Sequence, residues 1–483
     1  MASVDKQSLR EEFEALQGRF KQLVTEGKMA GESRALVEAL LMLLRLLVAV
    51  FLEKHTSKTS TNSSRPSSQM AKDESAMSRS GTHAKGNALD QARSANTRTV
   101  ETVQVAKLTF CEHCGEDLHK VPCRGHERRS KIDILFEKVV VHVDAEIKRC
   151  PHCGMQSQAP FPEAFCGVLH YGAGIKAYVL NLLIAQMLSL KRVQQSIQTL
   201  IGVVIAEATI LKYVLQLHQA LELWEKTSIE RLLTMPAMHV DETSLRVERQ
   251  NYWIHVCSGG DITLKFLHPK RGQEAVQAIG VIPRYGGVMI HDCWASYLAY
   301  EHCGHGLCGA HLLRELTFIV EAEGYAWARN MKRLLQQSCT RVSKRKSKKL
   351  SCREYAKLQK RYRNILTRGE KQLPPIPAKQ NGKRGRIAKS DAHNLWERLK
   401  EYETAVLLFA KESHVSFTNN RAERDLRMAK VKMKVSGCFR NRQYAQAYCR
   451  ISSYLQTMAN HGYNPLVAIQ MALSGELYAD RGE

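Results

Sequence analysis

A membrane span, a cleavable leader and an internal repeat are not expected from the sequence, which is short of acids for the bases it carries. Its longest apolar run, from Ala35 to Leu52, is nearly long enough to cross a bilayer. It contains Glu38 and Arg45, however, each costly at membrane depth. The opening MASVDKQSLREEFEAL is charged and has no apolar stretch followed by a cleavage site, so secretion is not expected. The expected location is the cytoplasm, on the nucleoid, with no membrane partner. Asp plus Glu number 47 against 71 Lys plus Arg, a formal charge of +24 that neither folding nor solubility requires. A polyanionic partner is the simplest cause, and nucleic acid is the commonest polyanion. A generally basic surface, such as a ribosome-associated protein carries, is the competing explanation.

What is present divides the chain into several segments. Leu9, Phe13, Leu16, Phe20 and Leu23 follow the alternating four- and three-residue rhythm of a coiled-coil seam. Residues 1–54 therefore read as a Leu-rich oligomerisation helix, implying a homo-oligomer. Residues 55–104 are rich in Ser, Thr, Asn, Gln and Lys and bury too little to order, so they read as a linker. Residues 105–165 hold short β-like runs, IDILF and KVVVHV, between paired cysteines. Residues 166–235 turn helical, with a Gly between helices that suits a helix-turn-helix-like DNA-binding region.

From 236 the pattern is strand-rich. AMHVD ends in Asp241, SLRV and NYWIHVC read as hairpin partners, ITLKFL and a helix near 273–279 follow, and VMIHD ends in Asp292. Three antiparallel-type strands, a helix and a returning strand open an RNase H-like α/β domain over 236–324. A basic helical insertion is expected at 325–411, the rest of the catalytic domain at 412–462, and a C-terminal helix and tail at 463–483. The fold class is multidomain α+β.

Fourteen cysteines in a chain expected to carry no leader point to metal rather than disulfides. Cys111 and Cys114 (CEHCG) and Cys150 and Cys153 (CPHCG) repeat one knuckle, and four thiolates complete a closed, structural Zn²⁺ site in a zinc ribbon. Asp241 and Asp292, each at a strand end, would converge if their strands were neighbours. Glu242 should face the opposite way in an extended strand. Glu423, following an Asn cap in TNNRAERDLR, supplies a third carboxylate, while Asp425 lies off its face. Such a set suits a pair of Mg²⁺ or Mn²⁺ ions cutting and joining phosphodiesters. Arg421, Arg424 and Arg427 flank Glu423 as DNA contacts. Residues 341–390 hold eighteen Lys/Arg against two Glu, a net +16. Lys344, Arg345, Lys346, Lys348 and Lys349 are the chosen phosphate-contact candidates there. His305, Cys308 and His311 form a His-x-x-Cys-x-x-His run, which either helps bind a second zinc or packs in the core.

The ribbon motifs, HVDETSLRV, MIHDCWASY, GLCGAHLLREL, NNRAERDLRMAKVKMKVSGCFR and AYCRISSYL together resemble the transposases of the insertion-sequence-66 family of bacterial mobile elements. The resemblance runs over nearly the whole chain. It implies an Asp-Asp-Glu triad, carried onto Asp241, Asp292 and Glu423, in an RNase H-like domain with a helical insertion. It also implies binding to the element's terminal inverted repeats, action on target DNA, and companion proteins encoded by the element. A nuclease that cuts without joining, and a zinc-ribbon DNA-binding regulator with an inactive catalytic fold, remain the alternatives.

Overall fold

Alternating buried positions in AMHVDETSLRV and a near-continuous buried run in NYWIHVCSG create two long strands that can be covered on both faces. The computed structural model describes residues 16, 18–20, 22–26, 37, 40–42, 102–132, 134, 137–165, 167, 169–376 and 389–476. The chain divides into two units: 1–77 with 311–337 and 358–401, and 78–310 with 338–357 and 402–483.

The second unit begins with a small hairpin of β1 (Ile147–Arg149) and β2 (Gln156–Gln158). Four helices follow: α1 (Ala173–Leu180), α2 (Leu190–Ile201), α3 (Glu207–Ala220) and α4 (Glu222–Leu233). Gly202, at φ +69°, stops α2 in the left-handed conformation that glycine adopts without strain, and gives the expected helix–Gly–helix turn. These helices are not a separately packed module. Ile210, Leu217, Leu221 and Leu232 share one core with the sheet and the C-terminal helices, each buried aliphatic contributing about 1.5–3 kcal/mol.

The sheet itself contains β3 (Ala237–Val247), β4 (Gln250–Gly259), β5 (Ile262–His268), β6 (Val288–His291) and β7 (Gly304–Leu307). Its spatial order is β5-β4-β3-β6-β7, with β3, β4 and β5 antiparallel and β6 and β7 parallel to β3. Helix α5 (Gln273–Ile279) lies between β5 and β6 in the chain, and α6 (Ala295–Leu298) between β6 and β7. AMHVD and SLRV are thus one strand, and Asp241 stands in its middle rather than at its end. The strand continues because β4 pairs with it from His239 to Val247, whereas the pairing with β6 stops at His239.

After the intervening helices α7 (Gly309–Glu323), α8 (Ala326–Ser343), α9 (Cys352–Glu370), α10 (Asp391–Glu401) and α11 (Glu403–Lys411), the chain returns to the sheet. It adds α12 (Asn420–Ser436), α13 (Arg442–Asn460) and α14 (Pro465–Ser474). Helix α13 covers edge strand β5 in an unusual way. Ser453 Oγ accepts from Lys265 N at 2.8 Å and Thr457 Oγ1 from Thr263 N at 3.1 Å, so hydroxyls satisfy an edge that would otherwise recruit another strand.

The other unit is helical among its described residues. Trp327 packs so closely on Gly369 that a Cβ there would meet its ring at 2.8 Å. Tyr362 and Trp396 donate to the carbonyls of Leu399 and Leu366 at 2.8 and 2.9 Å.

Two expectations differ from what is seen. KVVVHV forms no strand, nor do the described residues of IDILF, and Ile132 and Val139 are 93% and 79% exposed. Alternation favours a strand only where a neighbouring strand pairs with it and covers its apolar face, and among the described residues no strand pairs with KVVVHV. In the N-terminal segment Leu9 and Phe13 lie outside the described residues. Leu16, Phe20 and Leu23 are helical, with Leu16 54% exposed. Among the described residues no helix is long and apolar enough to cross a membrane.

Candidate active site

Register places the two aspartates. Strands β3 and β6 pair in parallel from Ala237↔Val288 to His239↔Ile290, and extending that register by two residues sets Asp241 level with Asp292. In the same way β6 and β7 pair up to His291↔Leu307, so the next row holds Asp292 and Cys308. Asp241, Asp292 and Cys308 therefore occupy one row across the carboxyl ends of β6 and β7, the edge where open α/β sheets gather ligands.

Burial dominates the electrostatics of this row. Asp241 is held well above the usual carboxylate range, first by burial and then by the charges of Glu242 and Asp292. Asp292 is raised to about 6 by burial and by Glu242. Two carboxylates raised in this way cost free energy when ionised without a cation.

Glu242 faces away, as its place in the strand requires. Its side chain is 1% exposed, and it is neutralised by Arg271 (Nη2 at 2.6 Å, Nε at 2.7 Å) and by the Tyr297 hydroxyl donating at 2.6 Å. The Arg271 guanidinium also lies 5.1 Å from the Trp253 ring centre and 4.6 Å from that of Trp294.

The turn after Asp292 is tightly specified. Cys293 takes φ +70°, uncommon for a side chain with a Cβ. Its N–H donates to His291 Nδ1 at 3.1 Å, and Trp294 N–H donates to Asp292 Oδ1 at 3.2 Å. With Nδ1 accepting, His291 Nε2–H donates to His305 Nδ1 at 3.0 Å, and His305 Nε2–H to the Tyr300 carbonyl at 3.0 Å. Burial, with the neighbouring His305, pushes His291 down to about 3, so this pair is neutral. His305 is thereby engaged in orienting the Asp292 turn. Cys308 is buried, as a core cysteine would be. His311 belongs to the other unit, where burial and then Arg314 and Arg398 lower it to about 3.

Glu423 lies in the first turn of α12, and Cys308 Sγ lies within 4.8 Å of one of its carboxylate oxygens. Asn419 stands at the N-cap position, yet its side chain caps nothing. It reaches the sheet instead: Nδ2 donates to the Val240 carbonyl at 2.7 Å, and Oδ1 accepts from His239 Nδ1 at 2.9 Å. Asp425, on another face, accepts from Ser258 Oγ at 2.7 Å and Thr263 Oγ1 at 3.0 Å. Beyond α12, Phe439 N–H donates to the Arg246 carbonyl at 2.9 Å, and Glu248 N–H to the Phe439 carbonyl at 2.8 Å. The helix is thus fastened to the antiparallel strands before, along and after Glu423. Sequence reasoning missed Asn419 and His239 as sheet contacts. The doubled Asn before Glu423 was the one available signal, and it read as a cap.

The basic candidates divide. Arg421 donates to the carbonyls of Gly260 (2.7 Å) and Ile262 (3.0 Å), while Arg424 and Arg427 are exposed. Arg345 pairs with Glu354, and Lys348 Nζ donates to the Ser343 carbonyl at 2.7 Å. Lys344, Lys346 and Lys349 are exposed.

The cysteine pairs form two matching knuckles. Gly115 and Gly154, at φ +75° and +72°, donate back to the carbonyls of Cys111 and Cys150, each at 2.9 Å. Backbone N–H groups of Cys114 and His113 lower the Cys111 thiol, and those of Cys153 and His152 lower Cys150, which favours thiolates. By one and the same measure, neither three of the four sulfurs nor Asp241, Asp292 and Glu423 together form a group within 4.8 Å among the described residues.

Among curated proteins none matches the chain. The family described as Transposase IS66 family matches residues 169–447, a span that holds the helices α1–α4, the whole five-stranded sheet, Asp241, Asp292 and Glu423. With that match covering more than half of its length, the chain belongs to the IS66 family of transposases.

Proposed function

We propose that the chain is a DNA transposase that binds the terminal inverted repeats of its element, and that Asp241, Asp292 and Glu423 hold the divalent cations for strand cleavage and strand transfer. The observation that carries this reading is the shared row of Asp241 and Asp292, with the Glu423 helix docked beside it. The order β5-β4-β3-β6-β7, antiparallel then parallel, supports an RNase H-like catalytic domain.

The residues fit a pair of hard cations. Oxygen donors suit Mg²⁺ or Mn²⁺, and the raised Asp241 and Asp292 are stabilised in their ionised form by a nearby positive charge. When bound, the cations supply charge stabilisation for the attacking and leaving oxygens of an in-line displacement. The chain's own residues do the rest. Glu242, saturated by Arg271 and Tyr297, is kept from competing as a ligand. The His291–His305 pair fixes the Asp292 turn. Arg424 and Arg427, exposed on the helix that carries Glu423, meet phosphates entering the site. Lys344, Lys346, Lys348 and Lys349, with Arg345, add sequence-independent phosphate contacts.

Cys111, Cys114, Cys150 and Cys153 are proposed to close around one structural Zn²⁺, their knuckles already formed and their thiolates favoured. The Leu16–Phe20–Leu23 face is proposed to pair with a second copy.

The test incubates the full chain with end-containing DNA and Mg²⁺ or Mn²⁺. Cleavage followed by joining is the expected result. Cleavage without joining reduces the reading to a nuclease, and binding without cleavage makes the chain a DNA-binding regulator.

A further inference from the structure

We infer that Asn419 is the positioning residue that sets the spacing of the three carboxylates, a role that rests on the metal-site reading above. Asn419 is 1% exposed, and its hydrogen bonds reach points next to both aspartates. Its Nδ2–H donates at 2.7 Å to the carbonyl of Val240, the residue before Asp241. That donation fixes the amide orientation, so Oδ1 accepts from His239 Nδ1–H at 2.9 Å, two residues before Asp241. The Asn419 backbone N–H donates to Cys308 Sγ at 3.1 Å. Cys308 N–H in turn donates to the carbonyl of His291, the residue before Asp292, at 2.8 Å. Asn419 is itself one turn before Glu423, whose N–H donates to the Asn419 carbonyl at 3.3 Å.

One residue thus joins the backbones that carry all three carboxylates, through elements 111 to 180 residues apart in the chain. Helix capping does not explain it, because the side chain makes no cap bond. General attachment of α12 does not require it either, since Asp425 and the Phe439 backbone already hold the helix. What Asn419 adds is a link at the level of the carboxylate row. Ligand-orienting partners of this kind change metal affinity about 10–100-fold when removed.

The experiment measures Mn²⁺ binding directly on the zinc-loaded full chain by the electron paramagnetic resonance of free Mn²⁺, alongside thermal unfolding. Asn419→Ala is expected to weaken Mn²⁺ binding by about ten-fold or more. Ser258→Ala, which loosens the Asp425 anchor instead, is expected to leave Mn²⁺ affinity within about two-fold, because the one hydrogen bond to the Asp425 carboxylate that it removes does not touch the backbones next to Asp241 or Asp292. A folded Asn419→Ala protein that binds Mn²⁺ like the wild type overturns the inference, as does an equal loss in Ser258→Ala. Should Asn419→Ala fail to fold, His239→Ala removes one link only and is expected to weaken Mn²⁺ by about three-fold; unchanged affinity there overturns the inference equally. Asp241→Asn separates the two readings. If it abolishes Mn²⁺ binding while Asn419→Ala does not alter it, the positioning role alone fails. If Asp241→Asn binds Mn²⁺ normally, the carboxylate site itself has been misread.

Discussion

The three carboxylates and the cysteine knuckles are both candidate metal sites, and the fold treats their residues differently. Asp241, Asp292 and Glu423 are far apart in sequence, and buried strands and long-range hydrogen bonds bring their elements together. Each cysteine knuckle is complete within a few residues, while Val139, Val140 and Val141 between the two pairs are exposed. On the proposed reading, folding brings the elements of the first site together at an electrostatic cost that a bound cation would relieve. On the same reading, the binding free energy of the zinc ion would close the second.

The largest effects should fall on the three carboxylates. Asp241→Asn, Asp292→Asn and Glu423→Gln are each expected to cut strand cleavage by at least ~10³-fold, about 4 kcal/mol of transition-state stabilisation. Affinity for end DNA, measured by gel shift, should stay within a few-fold. A variant that still cleaves at a tenth of the wild-type rate removes that residue from the set.

The knuckles should respond in structure rather than in rate. One Zn²⁺ per chain is expected by metal analysis. Chelator or Cys150→Ser should open residues 105–161 to limited proteolysis while the sheet stays folded, because only the ion holds the pairs together. Equal protease resistance with and without zinc would place the knuckles in the same class as the row.

A third difference lies in pH. The folded protein holds a proton on Asp292 more tightly than the unfolded chain does. The stability this gives is full below about pH 4 and lost as pH rises through about 6, at most roughly 3 kcal/mol in metal-free protein. Asp292→Asn should therefore unfold at a higher temperature than wild type at pH 7 in chelator, with the gap closing toward pH 4. A pH-independent gap would mean that the Asp292 charge is not costly.

The smallest effect concerns the basic stretch. Neutralising Lys344, Arg345, Lys346, Lys348 and Lys349 should weaken binding to every duplex by similar factors. The salt slope should flatten by roughly 0.9 for each phosphate that is no longer neutralised. Arg345 should contribute least, because it is already paired with Glu354. Loss of preference for element ends alone would instead make the stretch a sequence reader.

The same contrast governs what could be read from sequence. Knuckles, hairpin strands and acid-tipped apolar runs are local patterns, and β3 to β6 appear where alternation and apolar runs put them. That Asp241 is mid-strand was not legible, because the length of β3 is set by its pairing with β4 while β6 stops short. KVVVHV looks like a strand but pairs with no strand among the described residues, and strand pattern without a pairing strand does not make a sheet. Asn419 reads as a cap for the same reason. The Val240 carbonyl it binds lies 179 residues away, beyond any local rule. Asp425, by contrast, fell off the Glu423 face as helical spacing requires.

The central proposal is that Asp241, Asp292 and Glu423 converge on a cation pair when metal and DNA are bound. A crystal structure of the full chain with Mn²⁺ and cleaved end DNA, with the ions located by anomalous scattering, tests it most directly. The account predicts two Mn²⁺ ions about 3.5–4 Å apart, ligated by oxygens of Asp241, Asp292 and Glu423. Ions bound elsewhere, or a pair held without Glu423, would contradict it.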